Sequence, residues 1–197
     1  MRQPKWRELK EALTSLFTSP YTSKFPAEPP IIPDAFRGAP RFEAEKCVGC
    51  GACVNVCPPG AIIQEDDENS KMRQITILYD RCIMCGQCHA YCLTETGVNM
   101  SHDWDLATTN RDDLKERVEK ELLICETCDA IIGTLDHVRW VANRLGPLAF
   151  ANPTLFLTAL QDLSLSQKPP KSVEPMRRGD KLRVLCHNCR NVTSFLA

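Results

Sequence analysis

The chain has 197 residues, with 24 basic against 25 acidic side chains and 43% hydrophobic residues, which bounds it at one domain or one and a half and gives no sign of nucleic-acid binding. Fourteen prolines against nine glycines imply many extended, rigid connections, as in a subunit that wraps around partners. No apolar run reaches the roughly 18 residues of a membrane span; the longest candidate, Leu145 to Leu160, is cut by Gly146, Pro147, Asn152 and Pro153, so the chain is not expected to be transmembrane itself.

The first 19 residues read as a helix. Trp6, Leu9, Leu13, Leu16 and Phe17 recur at three- and four-residue intervals, and Arg2, Lys5, Arg7 and Lys10 fall on other faces. Such a basic amphipathic helix suits a membrane interface, a partner groove or its own domain. Ser19 to Pro40 then carries Pro20, Pro26, Pro29, Pro30, Pro33 and Pro40 with little periodicity, and reads as an extended arm laid over another surface, or as a linker.

Residues 41 to 100 repeat one plan twice. Arg41–Glu45 and Gln74–Tyr79 are expected strands before a cysteine loop, and Ala61–Gln64 and Val98–Met100 strands after one. The loops are Cys47-x2-Cys50-x2-Cys53-x3-Cys57-Pro58 and Cys82-x2-Cys85-x2-Cys88-x3-Cys92, offset by 35 residues throughout. This is the ligand spacing of a protein with two iron–sulfur clusters. Two residues between thiolates let a tight loop wrap one face of a cube with backbone N–H groups pointing inward. The fourth cysteine lies four residues beyond the third in a short helix, displaced by roughly 6 Å at about 1.5 Å per residue, and so faces the neighbouring cluster. Cluster 1 is therefore expected on Cys47, Cys50, Cys53 and Cys92, and cluster 2 on Cys82, Cys85, Cys88 and Cys57.

The competing readings are disulfides, zinc knuckles and buried thiols. Met1-Arg2-Gln3-Pro4-Lys5-Trp6 is not followed by the apolar segment of a secretory signal, so a reducing cytosol is the expected compartment, where clustered cysteines bind metal. Zinc knuckles call for pairs of Cys-x2-Cys, not for a third and fourth cysteine with proline behind. The second loop departs from the first in having Leu93 where Pro58 stands. Leu93-Thr94-Glu95-Thr96-Gly97 is expected to make a looser turn ending at a permissive glycine, with Cys92 still a ligand. Between the loops, Glu65–Arg73 reads as a solvated connection, its acids lacking the spacing of a calcium loop.

Phe36-Arg37-Gly38-Ala39-Pro40 ahead of the first loop, and Ser101-His102-Asp103-Trp104-Asp105-Leu106-Ala107 with Arg111-Asp112-Asp113-Leu114 after the second, complete a resemblance over most of residues 20 to 125. The chain resembles the two-cluster ferredoxin-like subunit shared by respiratory complex I and membrane-bound nickel-iron hydrogenases. The resemblance implies an electron wire with two 4Fe-4S clusters on the eight cysteines. It would be held between a soluble donor module and the small cluster-bearing subunit, on the cytoplasmic side of the membrane and peripheral to it.

The C-terminal third adds Cys125-Glu126-Thr127-Cys128 and Cys186-His187-Asn188-Cys189, two knuckles that together fit one tetrahedral four-thiolate site for zinc or a rubredoxin-like mononuclear iron. Arg111–Leu123 is expected to be an amphipathic helix with Leu114, Val118 and Leu122 inward. A second helical stripe runs through Ile131, Ile132, Leu135, Val138, Val141, Ala142 and Leu145, a third helix over Pro153–Leu163, and a strand over Leu182–Leu185. Paired knuckles resemble the formate-hydrogenlyase type of subunit more than the complex I type; a free two-cluster ferredoxin carrier is the other alternative.

His89 and His187 sit among cysteines and His102 and His137 stand alone, and no Ser-His-Asp pattern, phosphate loop or dinucleotide fingerprint is present. The chain alone is expected to catalyse nothing. The fold expected is α+β: residues 1–40 an amphipathic helix and docking arm, 41–108 a bacterial-type two-cluster ferredoxin domain, and 109–197 a helical extension carrying a rubredoxin-like four-cysteine site.

Overall fold

The computed structural model of the protein describes residues 5–20, 22–165 and 183–195. Backbone contacts divide the chain into two units, Met1–Phe36 and Arg37–Ala197.

The first unit holds helix α1, Trp6–Phe17. The Glu8 carboxylate accepts a hydrogen bond from the Lys5 backbone N–H at 3.1 Å, satisfying a donor that the first turn leaves open. None of its residues is buried, and Trp6 and Phe17 are each 87% exposed. The described residues from 18 to 36 form neither helix nor strand, as their prolines require.

The second unit begins with the duplicated module. Strand β1 (Pro40–Phe42) pairs antiparallel with β4 (Val98–Met100), so the strand before the first cysteine loop meets the strand after the second. Strand β2 (Ile62–Asp67) pairs with β3 (Met72–Leu78) in a hairpin. Both β2 and β3 run further into the polar stretch than its composition suggests. The reason is local: Asp67 accepts hydrogen bonds from the Asn69 N–H (2.9 Å) and the Ser70 hydroxyl (2.7 Å), and these close the turn. One turn earlier, Asp66 and Arg73 form a largely buried ion pair at 2.7 Å. Hydrogen bonding to Arg73 holds the Asp66 carboxyl below the usual carboxylate range. Its contribution is therefore complete above the unfolded carboxylate pKa and disappears as pH falls through the lower, folded one. Asp66→Asn should cost on the order of 2 kcal/mol near neutrality, with the two melting curves converging on acidification.

The expected helix over Arg111–Leu123 is instead a 3-10 turn, Arg111–Leu114, followed by the ten-residue strand β5, Lys115–Ile124. Val118 and Leu122 are four apart, which satisfies a helical stripe and one face of a strand equally. The backbone bonds on offer decide the matter. β5 pairs with β3 from Met72↔Glu121 to Leu78↔Lys115, placing Val118 beside Ile75 while Arg117, Glu119 and Glu121 point outward. Likewise Ile131 and Ile132 belong to strand β6 (Ile131–Thr134), paired with β5, rather than to the following helix. The sheet order is β2-β3-β5-β6, so the C-terminal extension is part of the ferredoxin sheet and is not wholly helical.

Two short helices, α2 (Ala52–Asn55) and α3 (Gln87–Ala90), carry the third cysteine of each loop. Helix α4 (Leu135–Leu145) is capped by the Thr134 side chain, a 3-10 segment spans Gly146–Ala151, and α5 (Pro153–Asp162) is capped by Asn152. Helix α6, His187–Phe195, closes the described chain. The expected strand over Leu182–Leu185 is absent from its described residues, Arg183–Leu185, where a reciprocal pair of bonds with Glu126 takes its place; Leu182 lies outside the described residues. No helix among the described residues is long and apolar enough to cross a membrane.

Ile62, Ile75, Ile77, Tyr79, Val98 and Val118 form the main core together with Cys47, Cys53 and Cys88. Leu123, Leu157 and Val184, backed by Leu135, Val138 and Leu160, form a second core under α4 and α5.

Candidate metal centres

The duplication places the eight loop cysteines around two pockets. One is lined by Cys47, Cys50, Cys53 and Cys92 with Ile75 and Val98. The other is lined by Cys57, Cys82, Cys85 and Cys88 with Ile62 and Met100. Each draws three cysteines from one loop and the fourth from the other.

The donor set suits thiolate ligands of a bound metal group. Backbone N–H groups point at sulfur: Ala61 to Cys57 at 3.3 Å and Met84 to Cys82 at 3.4 Å. Further backbone bonds reach Cys47 from Gly49, Cys53 from Val54 and Cys88 from His89. Burial pushes the Cys53 thiol up to about 12 and the Cys88 thiol up to about 11, and raises Cys47 and Cys82 as well. Burying anionic sulfur in these apolar pockets is stable only against cationic metal, whose arrival releases the thiol protons.

Cys92 is the exception among them. Burial pushes its thiol up, but bonds from the Thr94 hydroxyl and the backbone of Thr94, Val98 and Gly97 outweigh this and leave it below the ordinary value. The Thr94 hydroxyl lies 3.5 Å from the sulfur. The left-handed position of the turn is Glu95 (φ 64°), the counterpart of Gly60 (φ 60°) in the first half, so it is kept without a proline after Cys92. Gly97 is needed for room rather than for its permissive backbone: a Cβ there would lie 3.2 Å from the Cys92 sulfur and 2.8 Å from the Thr94 hydroxyl.

The four remaining cysteines come together separately. The sulfurs of Cys125, Cys128, Cys186 and Cys189 all lie within 4.8 Å of one another. Those of Cys128 and Cys186 are 3.6 Å apart, against the roughly 3.8 Å that a tetrahedron of 2.3 Å zinc–sulfur bonds sets between ligands. Among the described residues no other His, Cys, Asp or Glu group is this tight, the eight loop cysteines included. The first knuckle leaves the end of β5 and enters β6. The second precedes and opens α6, and Glu126 joins the two by accepting the Val184 N–H at 3.1 Å. Burial raises Cys189, whereas backbone donors at Cys186, Cys128 and Thr127 overcome burial at Cys125 and lower it.

His89 turns its Nδ1 to the Val98 carbonyl at 2.8 Å, and His187 is the exposed first residue of α6. Spacing alone left the histidines without roles. It also gave no hint of the Arg41, Tyr79 and Glu116 cluster, in which Glu116 accepts from Arg41 and from the Phe42 N–H at 2.6 Å, tying β1 to β5.

Residues 46–96 match the family model of a 4Fe-4S dicluster domain. NADH-quinone oxidoreductase subunit I 2 of Geobacter metallireducens is 32% identical over 129 residues, covering 60% of this chain and 98% of that protein. NAD(P)H-quinone oxidoreductase subunit I of Gloeobacter violaceus is 31% identical over 100 residues, 48% of this chain and 47% of its own. Formate hydrogenlyase subunit 6 of Escherichia coli is 44% identical over 50 residues, 25% of this chain and 28% of its own. The chain thus spans about half of the Gloeobacter subunit and nearly all of the Geobacter one.

Proposed function

The chain belongs to the family of NADH-quinone oxidoreductase subunit I, and we propose that it relays electrons through two 4Fe-4S clusters between a soluble donor module and the small subunit of a membrane-associated nickel-iron hydrogenase complex of formate-hydrogenlyase type. The pair of crossed four-cysteine pockets supports this reading most directly. Cys47, Cys50, Cys53 and Cys92 hold cluster 1, and Cys82, Cys85, Cys88 and Cys57 hold cluster 2. When bound, each cluster accepts and passes on a single electron. The chain's residues hold it by thiolate, aim N–H groups at its sulfur ligands and keep water away with Ile75 and Val98 on one side and Ile62 and Met100 on the other.

The four-thiolate site at Cys125, Cys128, Cys186 and Cys189 holds one zinc or one rubredoxin-type iron, whose part is structural. The 44% identity over 50 residues to formate hydrogenlyase subunit 6 supports the hydrogenase assignment. A complex I-type quinone oxidoreductase is the second reading, supported by the match over 98% of the Geobacter subunit. In either assembly, residues 1–40 serve as the docking arm, with the exposed apolar face of α1 and its basic Arg7 and Lys10 placing the chain peripherally on the inner face of the membrane.

Anaerobic isolation with metal and sulfide analysis tests the cofactor content. About eight acid-labile sulfides and about eight cluster irons, plus one further zinc or iron, are expected. A single cluster's worth of sulfide would defeat the reading. Affinity isolation of the tagged chain then separates the assemblies: hydrogenase subunits alongside it support the first, quinone-oxidoreductase subunits the second, and a monomer neither.

A further inference from the structure

The two cysteine loops are near-copies, but their surroundings are not. In the first, three carbonyls of one short stretch are each held by a side chain from outside the loop. Lys120 Nζ on β5 donates to the Ala44 carbonyl at 2.7 Å, Arg73 Nη1 on β3 donates to the Gly49 carbonyl at 3.1 Å, and the fully buried Thr134 hydroxyl donates to the Val48 carbonyl. Both cations are nearly buried, the side chains of Lys120 and Arg73 being 12% and 11% exposed, and each is anchored by one carboxylate, Asp136 at 2.8 Å and Asp66 at 2.7 Å. In the second loop, no side chain among the described residues donates to the carbonyls of the matching Ile83 and Met84, and Ile83 is 63% exposed; Arg37 reaches only the Cys85 carbonyl, at 3.2 Å.

The sequence carries the mark of this difference. Gly49 and Met84 are equivalent positions, and both have a left-handed backbone, φ 65° and 51°. That conformation disfavours a side chain in either place, yet methionine is accommodated in the second loop. In the first, a Cβ would lie 2.9 Å from Thr134 Cγ2 and 3.0 Å from Lys120 Cγ, so the clamp itself requires glycine.

We propose that Lys120, Arg73 and Thr134 are positioning residues for the first cluster alone. They grip the first loop and the residues leading into it from outside and set two nearly buried cations beside that pocket, which makes its cluster easier to reduce than its twin. The inference rests on the two-cluster reading. Hydrogen bonds and local charge are the protein's means of tuning such potentials, and the β5–β6 extension supplies two of the three donors to one side only.

The test is a mediated redox titration of the full-length anaerobic protein followed by low-temperature EPR, dithionite supplying one electron to each cluster. The two signals are assigned beforehand from Cys92→Ser and Cys57→Ser. Lys120→Met, which keeps the stem and removes the charge, is expected to move the cluster-1 midpoint to lower potential and leave cluster 2 in place, and Lys120→Arg to restore it. Thr134→Val, close in volume, is expected to alter the cluster-1 spectrum only. Equal shifts in both clusters, or no shift with either variant, would overturn the proposal. Absence of acid-labile sulfide from the unsubstituted protein would instead overturn the cluster reading beneath it.

Discussion

Cys57→Ser should abolish or grossly distort the cluster held by the second loop, while the cluster beside Cys57's own neighbours, Cys47, Cys50 and Cys53, keeps its EPR signal and midpoint. The expectation is counter-intuitive in sequence terms and follows from the pockets: Cys57 lines the one formed by Cys82, Cys85 and Cys88, and Cys92 closes the other. Cys92→Ser should give the mirror result. The affected site is expected to lose most of its iron, or to fall to a three-iron form, because a hydroxyl rarely ionises where a thiol does. Were Cys57→Ser to remove the signal that Cys50→Ser also removes, the exchange of ligands between halves would be wrong.

Loss of the four-thiolate site should produce the largest change in stability. Cys189→Ala, or removal of the metal with a strong chelator, is expected to lower the melting temperature by on the order of 10 °C. Structural zinc contributes apparent binding energies of about 10–16 kcal/mol in domains that depend on it, and roughly 1 kcal/mol moves a chain of this size by about 2–4 °C. The full value is not expected, since Ile132 and Leu185 also pack beside the site. Metal content by mass spectrometry and thermal melting by circular dichroism provide the check. The affinity should weaken as pH falls, because protons compete for sulfur. A protein that melts identically with and without metal would show that the four sulfurs meet for no structural reason.

Much of the redox site could be read from the chain, because ligand spacing is a short-range constraint. The intervals within Cys47–Cys57 and Cys82–Cys92 dictate a wrapped loop and a short helix whatever surrounds them, and the crossed pockets follow from helical rise. The two knuckles were legible as one four-thiolate site from their pairing, and their sulfurs do meet; the path by which the 57 residues between Cys128 and Cys186 return the chain was not. Strand β5 was misread because Val118 and Leu122 fit either period, and only the free edge of β3 settles the choice. The clamp on the first loop was invisible for the same reason. Lys120 and Arg73 look like ordinary surface charges until the strands that carry them lie side by side.

That pairing has a further consequence for how the molecule can be taken apart. All seven residues of β3 are matched by β5, and Val118 lies over Ile75 beside the first cysteine pocket. A truncation after the duplicated module, the natural choice for anyone wishing to isolate a minimal ferredoxin, would strip that cover and leave an open row of amide donors and acceptors, inviting strand-by-strand self-association. The redox core and its C-terminal annex are thus a single folding commitment, and variants of one are best studied with the other in place.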